Sequence, residues 1–236
     1  MHAPPDLIVR GLALDSRKAE EGFLFFALPG EKEDGGEFIA EAKARGAACA
    51  VCEHPPETEI PYILVPDAHK ALALCAAVWY GTPAGKLTVV GVTGTNGKTT
   101  TTYLIKQLLE RTKGTKVGLI GTNQNLISDK TIPTDRTTPD ALTAQRLLAQ
   151  MVDAGCTYAV MEVSSHALMQ SRAEGIRFRV GVFTNLTQDH LDYHGTMEAY
   201  CDAKSRLFDQ CDIACVNGDD AWTERLLARF TSERIT

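Results

Sequence analysis

Between Val89 and Thr102 the chain reads VVGVTGTNGKTTTT, an apolar run followed by glycines, one lysine and a run of threonines. Glycines let backbone N–H groups face an anion at close range, and a helix N-terminus adds positive potential. Lys98 can neutralise a terminal phosphate and Thr99 can hold Mg²⁺, so GTNGKTT predicts a phosphate-binding loop between a strand and a helix. One position departs from the usual spacing: where a glycine is expected five places before Gly97, the chain has Val92. A plain glycine turn would explain the glycines but not a Lys-Thr pair opening a helix.

A site of this kind needs an acid near its metal. Glu162, in YAVMEVSSHAL, stands where an apolar strand runs into polar chain and could bind Mg²⁺ directly or through water. A merely solvated acid at a strand end is the alternative. TNLTQDHLDYHG follows VGVF and gathers Asp189, His190, Asp192 and His194. Those residue types suit metal binding or acid/base chemistry, and equally helix capping. Lys204, in EAYCDAKSRLF, reads on spacing alone as a helix-surface lysine.

The elements that position these residues follow from periodicity. From Leu87 onward the order is strand LTVVGVTG, helix TTTTYLIKQLLERTKG and strand KVGLIGT. After a polar loop come helix DALTAQRLLAQMVDAG, strands TYAVMEVSS and VGVFTNL, helix TMEAYCDAKSRLFDQ and strand IACVN. This alternation predicts an α/β fold, a mostly parallel sheet with helices on both faces and ligands at the strands' carboxyl ends. Residues 1–86 read as a separate small α/β domain. It has strand GFLFFALPG, helix EFIAEAKARG stopped by Gly46, strands AACAVCE and PYILVP, and helix DAHKALALCAAVWYG capped by Asp67. YGTPAGK reads as the linker to a second domain, 87–236.

The 236 residues are 44% hydrophobic and 23% charged, which is ordinary for a globular chain. A net charge of -6 argues against a general nucleic-acid or anionic-membrane binder. No apolar run approaches a membrane span and the start lacks signal-peptide features, so a cytoplasmic protein is expected. Seven cysteines in apolar settings read as reduced, buried thiols. Cys49 and Cys52 form a C-x-x-C, but with no second pair at zinc spacing they read as strand core.

GTNGKTT, RTTPD, MEVSSHAL, TNLTQDHLDYHGTMEAY and AKSRLF, in this order, resemble the Mur ligases, most nearly the MurE-type tripeptide-synthetase branch. LALDSRKAEEGFLFFALPGEKEDGGEFI resembles that branch's uridine-binding domain. The resemblance covers nearly the whole chain. It implies an ATP-dependent ligase of cytoplasmic peptidoglycan precursor synthesis. ATP would phosphorylate the D-Glu carboxylate of UDP-MurNAc-L-Ala-D-Glu, and a diamino acid, meso-diaminopimelate or L-lysine, would attack the acyl phosphate.

By motif, Gly94, Thr95, Asn96, Gly97, Lys98, Thr99 and Thr100 would hold ATP, with Lys98 catalytic. Thr99 and Glu162 would serve one Mg²⁺, and His190 a second. Lys204 matches a family lysine carbamylated by CO₂, an anion able to support the second metal. Leu14 and Ser16 match uridine-pocket positions, with the loop Glu31 to Glu33 beside them. Thr137, Thr138, Ser164, Gln170 and Arg172 match positions holding the muramoyl dipeptide and its phosphates, Arg172 by charge-assisted bonds. Two places depart from the relatives' pattern: Gly36 stands where a side chain is usual, and Arg136 adds charge before the paired threonines.

Family members also carry a third, amino-acid-binding domain. The chain therefore reads as a fragment of the ligase, with Trp222 to Phe230 a helix awaiting its next strand and the missing domain or partner chain supplying the rest. On this reading it binds substrate without full activity. The rival readings are a noncatalytic UDP-sugar-binding subunit and a folylpolyglutamate- or cyanophycin-type ligase.

Overall fold

The computed structural model describes residues 4, 6–30, 33–228 and 230–236. Its contacts divide the chain into two units, Met1–Cys75 and Ala76–Thr236.

The first unit holds four short strands: β1 (Gly11–Ala13), β2 (Phe23–Phe26), β3 (Cys49–Cys52) and β4 (Tyr62–Leu64). They form one parallel sheet in the order β1-β2-β3-β4. A 3-10 turn, Gly35–Phe38, leads into helix α1 (Ile39–Ala44). Gly46 stops that helix with φ 105°. Phe25, Ile39, Ala42, Ala50 and Ile60 build the core. Both cysteines of the C-x-x-C are buried in β3, and burial pushes the Cys49 thiol up to about 11. All seven cysteines are free. Helix α2 (Ala68–Trp79) begins where the Asp67 side chain accepts the Lys70 N–H at 2.8 Å, as its sequence predicts. The division between the units falls inside this helix, shortly before YGTPAGK. That segment forms a 3-10 turn, Pro83–Lys86, whose Pro83 and Ala84 are buried.

The second unit is built on an eight-stranded sheet. Its strands are β5 (Thr88–Thr93), β6 (Lys116–Ile120), β7 (Asn125–Ile127), β8 (Lys130–Ile132), β9 (Cys156–Glu162), β10 (Phe178–Phe183), β11 (Cys211–Val216) and β12 (Glu233–Ile235). The order is β12-β11-β10-β5-β9-β6-β7-β8, parallel except for the β6–β7 and β7–β8 pairs. Helix α3 (Lys98–Lys113) covers one face, where Ile105 and Leu109 meet Val90, Val92, Val117 and Val160. Helices α4 (Ala141–Asp153) and α7 (Met197–Ser205) pack into the cluster on the other face. Leu147, Leu148 and Met151 come from α4, and Tyr200 and Cys201 from α7, with Leu207 just beyond it. Alternation along β5 explains the split: Val90 and Val92 face α3, whereas Val89 joins the opposite cluster. Val92 is thus a core strand residue, which is why no glycine is needed there.

Three segments differ from the sequence expectation. The polar loop after β6 contains the β7–β8 hairpin, whose strands are too short to show a period and whose turn holds Ser128 at φ 53°. The end of TYAVMEVSS is not strand: Ser164 caps helix α5 (Ser165–Met169), accepting the Ala167 N–H at 3.2 Å. Beyond it lie α6 (Leu191–His194) and α8 (Thr223–Leu226). The sequence predicts a helix over Trp222 to Phe230 that awaits its strand. The helix is only α8, and the next strand, β12, is present and pairs with β11.

Candidate phosphate-binding loop and its surroundings

The loop between β5 and α3 lies at the carboxyl end of a central strand. β5 has β10 on one side and β9 on the other, the crevice position at which such sheets bind ligands. Gly94 adopts φ 142°, and a Cβ there would lie 1.9 Å from Thr184 Oγ1 and 3.1 Å from Asn185 O. Gly97 turns the chain into α3 with φ 83°. The first helical bond after it is from Thr101 N–H to Gly97 O, so the preceding N–H groups lie outside the helical ladder. Together these features make a cradle for an anion. Gly94→Ala should displace the loop at a cost of about 1–3 kcal/mol, the scale of such backbone strain. A melting curve matching that of the unsubstituted chain would refute this.

Three residues that sequence reasoning passed over clamp this loop from the end of β10. Asn185 O accepts the Thr95 N–H (2.8 Å) and Asn185 Oδ1 the Asn96 N–H (3.0 Å). Thr184 Oγ1 donates to Asn96 O (2.7 Å), and Asn96 Nδ2 donates to Thr187 Oγ1 (3.2 Å). The sequence signal for them is that TNLT leaves a strand adjacent to β5.

Lys98 turns back onto its own loop. Its ammonium donates to Gly94 O (2.9 Å) and Thr95 O (2.8 Å), and burial holds its pKa below the ordinary lysine value despite Glu162 and Asp189. Glu162 is fully buried at the end of β9. Its Oε2 accepts the hydroxyls of Thr99 (3.0 Å) and Thr122 (3.0 Å), and its Oε1 accepts the Thr122 N–H (3.0 Å). Thr95, Asn96, Gly97, Lys98, Thr99, Thr100, Thr122, Thr137 and Glu162 line a cavity of about 250 Å³. Among the described residues no group of three or more His, Cys, Asp or Glu is arranged to hold a metal. One carboxylate with two hydroxyls beside an anion cradle instead suits a hard cation that takes its remaining ligands from phosphate and water.

Thr137 adjoins this cavity, 3.0 Å from the Thr122 hydroxyl. Thr138 is buried behind it, its hydroxyl donating to Glu162 O (2.9 Å) and accepting the Ser164 N–H (3.0 Å). Arg172 donates through Nη1 to Thr138 O (3.1 Å) and through Nε to Gln170 Oε1 (3.0 Å). Burial, then the nearby Arg136 charge, lower its pKa.

Lys204 corrects the surface reading most sharply. Only 1% of it is exposed, and its ammonium donates to the same Gly94 O as Lys98, at 3.0 Å. It sits 4.3 Å from the Tyr200 ring centroid. Burial, reinforced by Lys98, draws its pKa down to about 7. A signal for this was present: Tyr200, Cys201 and Ala203 mark the buried face of α7, and Lys204 follows Tyr200 by four residues.

His190 takes φ 51° at the start of α6, exposed beside Asp189 Oδ2 (3.5 Å). It neither lines the 250 Å³ cavity nor is buried, but its ring lies 6.2 Å from that of Tyr200. His194 stacks on Tyr200 at 4.8 Å and 28°, its Nε2 2.8 Å from Ser165 Oγ. Burial, then His166, Lys204 and His190, lower its pKa to about 4. Below the ordinary value of 6.5 the unfolded chain therefore takes up a proton that the folded chain refuses, and stability falls until about pH 4. His194→Gln should lose less melting temperature than the unsubstituted chain across that window; an equal loss would refute the assignment.

In the first unit, Ser16 is buried and donates to Glu41 Oε2 (2.6 Å), while Leu14 is half-buried. A cavity of about 500 Å³ opens among Pro29, Asp34, Gly36, Glu53 and His54, and neither Leu14 nor Ser16 lines it. Of the loop from Glu31 to Glu33, Glu31 and Lys32 lie outside the described residues.

Comparison with known proteins adds four findings. The Mur ligase middle-domain family matches residues 92–236, and the Mur ligase family, catalytic domain, matches residues 8–80. The UDP-N-acetylmuramoyl-L-alanyl-D-glutamate--2,6-diaminopimelate ligase of Geobacillus kaustophilus is 52% identical over 206 residues, covering 87% of this chain and 42% of that protein. A solved structure of a ligase of the same name superposes with TM-score 0.82 at 32% identity, over 96% of this chain and 47% of that one. The MurF ligase of Thermotoga maritima, solved in complex with ADP, superposes at 0.62 and 25% identity over 98% and 51%. The chain thus spans about half the length of the curated relatives it matches. Among the described residues no helix is long and apolar enough to cross a membrane.

Proposed function

The chain belongs to the Mur ligase family, and from that premise we propose that it carries the nucleotide- and UDP-sugar-binding half of a cytoplasmic ATP-dependent ligase joining 2,6-diaminopimelate to UDP-MurNAc-L-Ala-D-Glu. The observation that carries this reading is the convergence of Lys98, Thr99, Glu162 and Lys204 on one glycine loop at a strand end. The choice of diaminopimelate over L-lysine is supported by the relatives' shared name.

ATP, when bound, supplies the phosphoryl group that turns a carboxylate, a poor electrophile, into an acyl phosphate open to attack by an amine. The residues do the rest by placement and charge. Lys98 would leave the Gly94 and Thr95 carbonyls to meet phosphate oxygens, while the N–H groups opening α3, Gly97 to Thr100, would cradle them and the Thr95 and Asn96 N–H groups stay on Asn185. Glu162 and Thr99, joined by Thr122, would hold Mg²⁺. Lys204, buried and easily neutral, would shed one proton to give the free amine that CO₂ requires; its nitrogen would then bond the carbon and a second proton would leave, so that a cation becomes an anion. That carbamate and His190, both beside Tyr200, would serve a second Mg²⁺. Arg172, oriented by Gln170, would meet the anionic part of the sugar peptide near Thr137, with Thr138 and Ser164 fixing the wall behind it. Leu14 and Ser16 would contact uridine. No role for nucleic acid or membrane enters this chemistry.

Calorimetric titration of the chain with UDP-MurNAc-L-Ala-D-Glu, and separately with MgADP, tests the reading. Saturable binding of both is expected. Binding of the nucleotide without the sugar peptide would overturn the uridine assignment around Ser16, and binding of neither would reduce the conclusion to family membership.

A further inference from the structure

Tyr200 has no part in the chemistry above, yet the glycine loop, α6 and α7 meet at it. It is 1% exposed on α7, one turn before Lys204, whose ammonium lies 4.3 Å from its ring centroid. A buried ammonium needs an electron-rich neighbour on every side that water has left, and an aromatic face supplies one. This ammonium also donates to Gly94 O in the glycine loop.

The Tyr200 hydroxyl reaches that same loop. Thr95 Oγ1 accepts the Thr187 N–H (3.0 Å) and has one proton for two acceptors, Thr187 O (3.2 Å) and Tyr200 Oη (3.4 Å). The Tyr200 hydroxyl oxygen is thus an acceptor of the Thr95 proton, in competition with the Thr187 carbonyl. The ring is also braced: His194 stacks on it, and Ser165, opening α5, holds His194. One side chain therefore fixes both the Lys204 head group and the second residue of the phosphate loop.

We propose that Tyr200 is a positioning residue that joins the phosphate-binding loop to Lys204, its ring holding the lysine head group and its hydroxyl transmitting the state of the loop through Thr95. This rests on the reading of the loop as a nucleotide site and of Lys204 as a functional group. A side chain that merely filled the core would need the ring and not the hydroxyl, which makes Tyr200→Phe the informative variant.

The test uses the 236-residue chain, with the Lys204 side-chain resonances assigned by their loss in Lys204→Met. In the unsubstituted chain and in Tyr200→Phe these resonances should show the ring-current displacement of a group over an aromatic face; in Tyr200→Leu they should return to ordinary lysine positions. MgADP should move them in the unsubstituted chain but not in Tyr200→Phe. The Phe variant should also bind MgADP about three- to tenfold more weakly, the worth of one neutral hydrogen bond. Retention of full affinity and of the MgADP-induced displacement in Tyr200→Phe overturns the proposal, even if Tyr200→Leu fails to fold. A chain that binds no MgADP at all overturns the nucleotide reading instead, and the unsubstituted protein alone shows which failure has occurred.

Discussion

Lys98→Ala should weaken MgADP binding about tenfold to a hundredfold, the scale of losing charge-assisted hydrogen bonds worth about 1.5–3 kcal/mol. Structural damage is not the expected cause. The Lys98 ammonium donates to two carbonyls of its own loop, whereas the fold of that loop is fixed by Thr184, Asn185 and Thr187. Melting should change little while affinity falls. The variant carries a second signature: with the Lys98 charge gone, one of the causes depressing the Lys204 pKa is removed, so Lys204 should titrate higher. Calorimetry with MgADP reads the first effect and a pH series of Lys204 resonances the second. Unchanged affinity would mean that the loop does not hold phosphate through this lysine.

Lys204→Met should stabilise the chain at pH 6 while abolishing whatever Lys204 does. The ordinary lysine value is 10.5 and the folded value about 7. Between them the unfolded chain binds a proton that the folded chain does not, so stability rises with pH across that window. Below pH 7 both states are protonated and the burial cost is fully present. Methionine fills similar space without a charge, and removing buried charge in this way typically stabilises by about 1–4 kcal/mol. At roughly 2–4 °C per kcal/mol for a chain of this size, the melting temperature at pH 6 should rise visibly, and the alkaline rise should flatten. A carbamate carbonyl resonance under ¹³C-labelled bicarbonate should be present in the unsubstituted chain and absent in the variant. A less stable Lys204→Met at pH 6 would refute the account of Lys204 as a strained buried cation.

The sequence made some of this legible and hid the rest for identifiable reasons. β5, α3, α4 and β9 were readable because long apolar periods and strong stop signals mark them. The β7–β8 hairpin was not, because three-residue strands carry no period and the αL turn residue is a serine, not glycine or asparagine. Lys98, Thr99 and Glu162, legible at strand ends beside a glycine loop, are brought together around one cavity. The role of Lys204 came only through resemblance, since the apolar face of α7 signals burial of Tyr200, Cys201, Ala203 and Lys204 but not what a buried lysine does. Thr184, Asn185 and Thr187 escaped because their task is to bond backbone, which no residue type announces.

The candidate site is also stitched together from distant parts of the chain. Thr99 meets Glu162 across 63 residues, Thr95 meets Thr187 across 92, and Lys204 reaches Gly94 across 110. β5 gains its neighbours β9 and β10 only after β6 to β8 and α4 have been made. Each such closure costs loop entropy before any contact rewards it, so these pairings belong to the slow end of folding. Helical circular dichroism should recover early when the denatured chain is returned to buffer, and affinity for nucleotide should be among the last properties to appear. During that interval the refolding chain carries the glycine loop in sequence without the assembled candidate site, whose wall at Glu162 arrives only with β9.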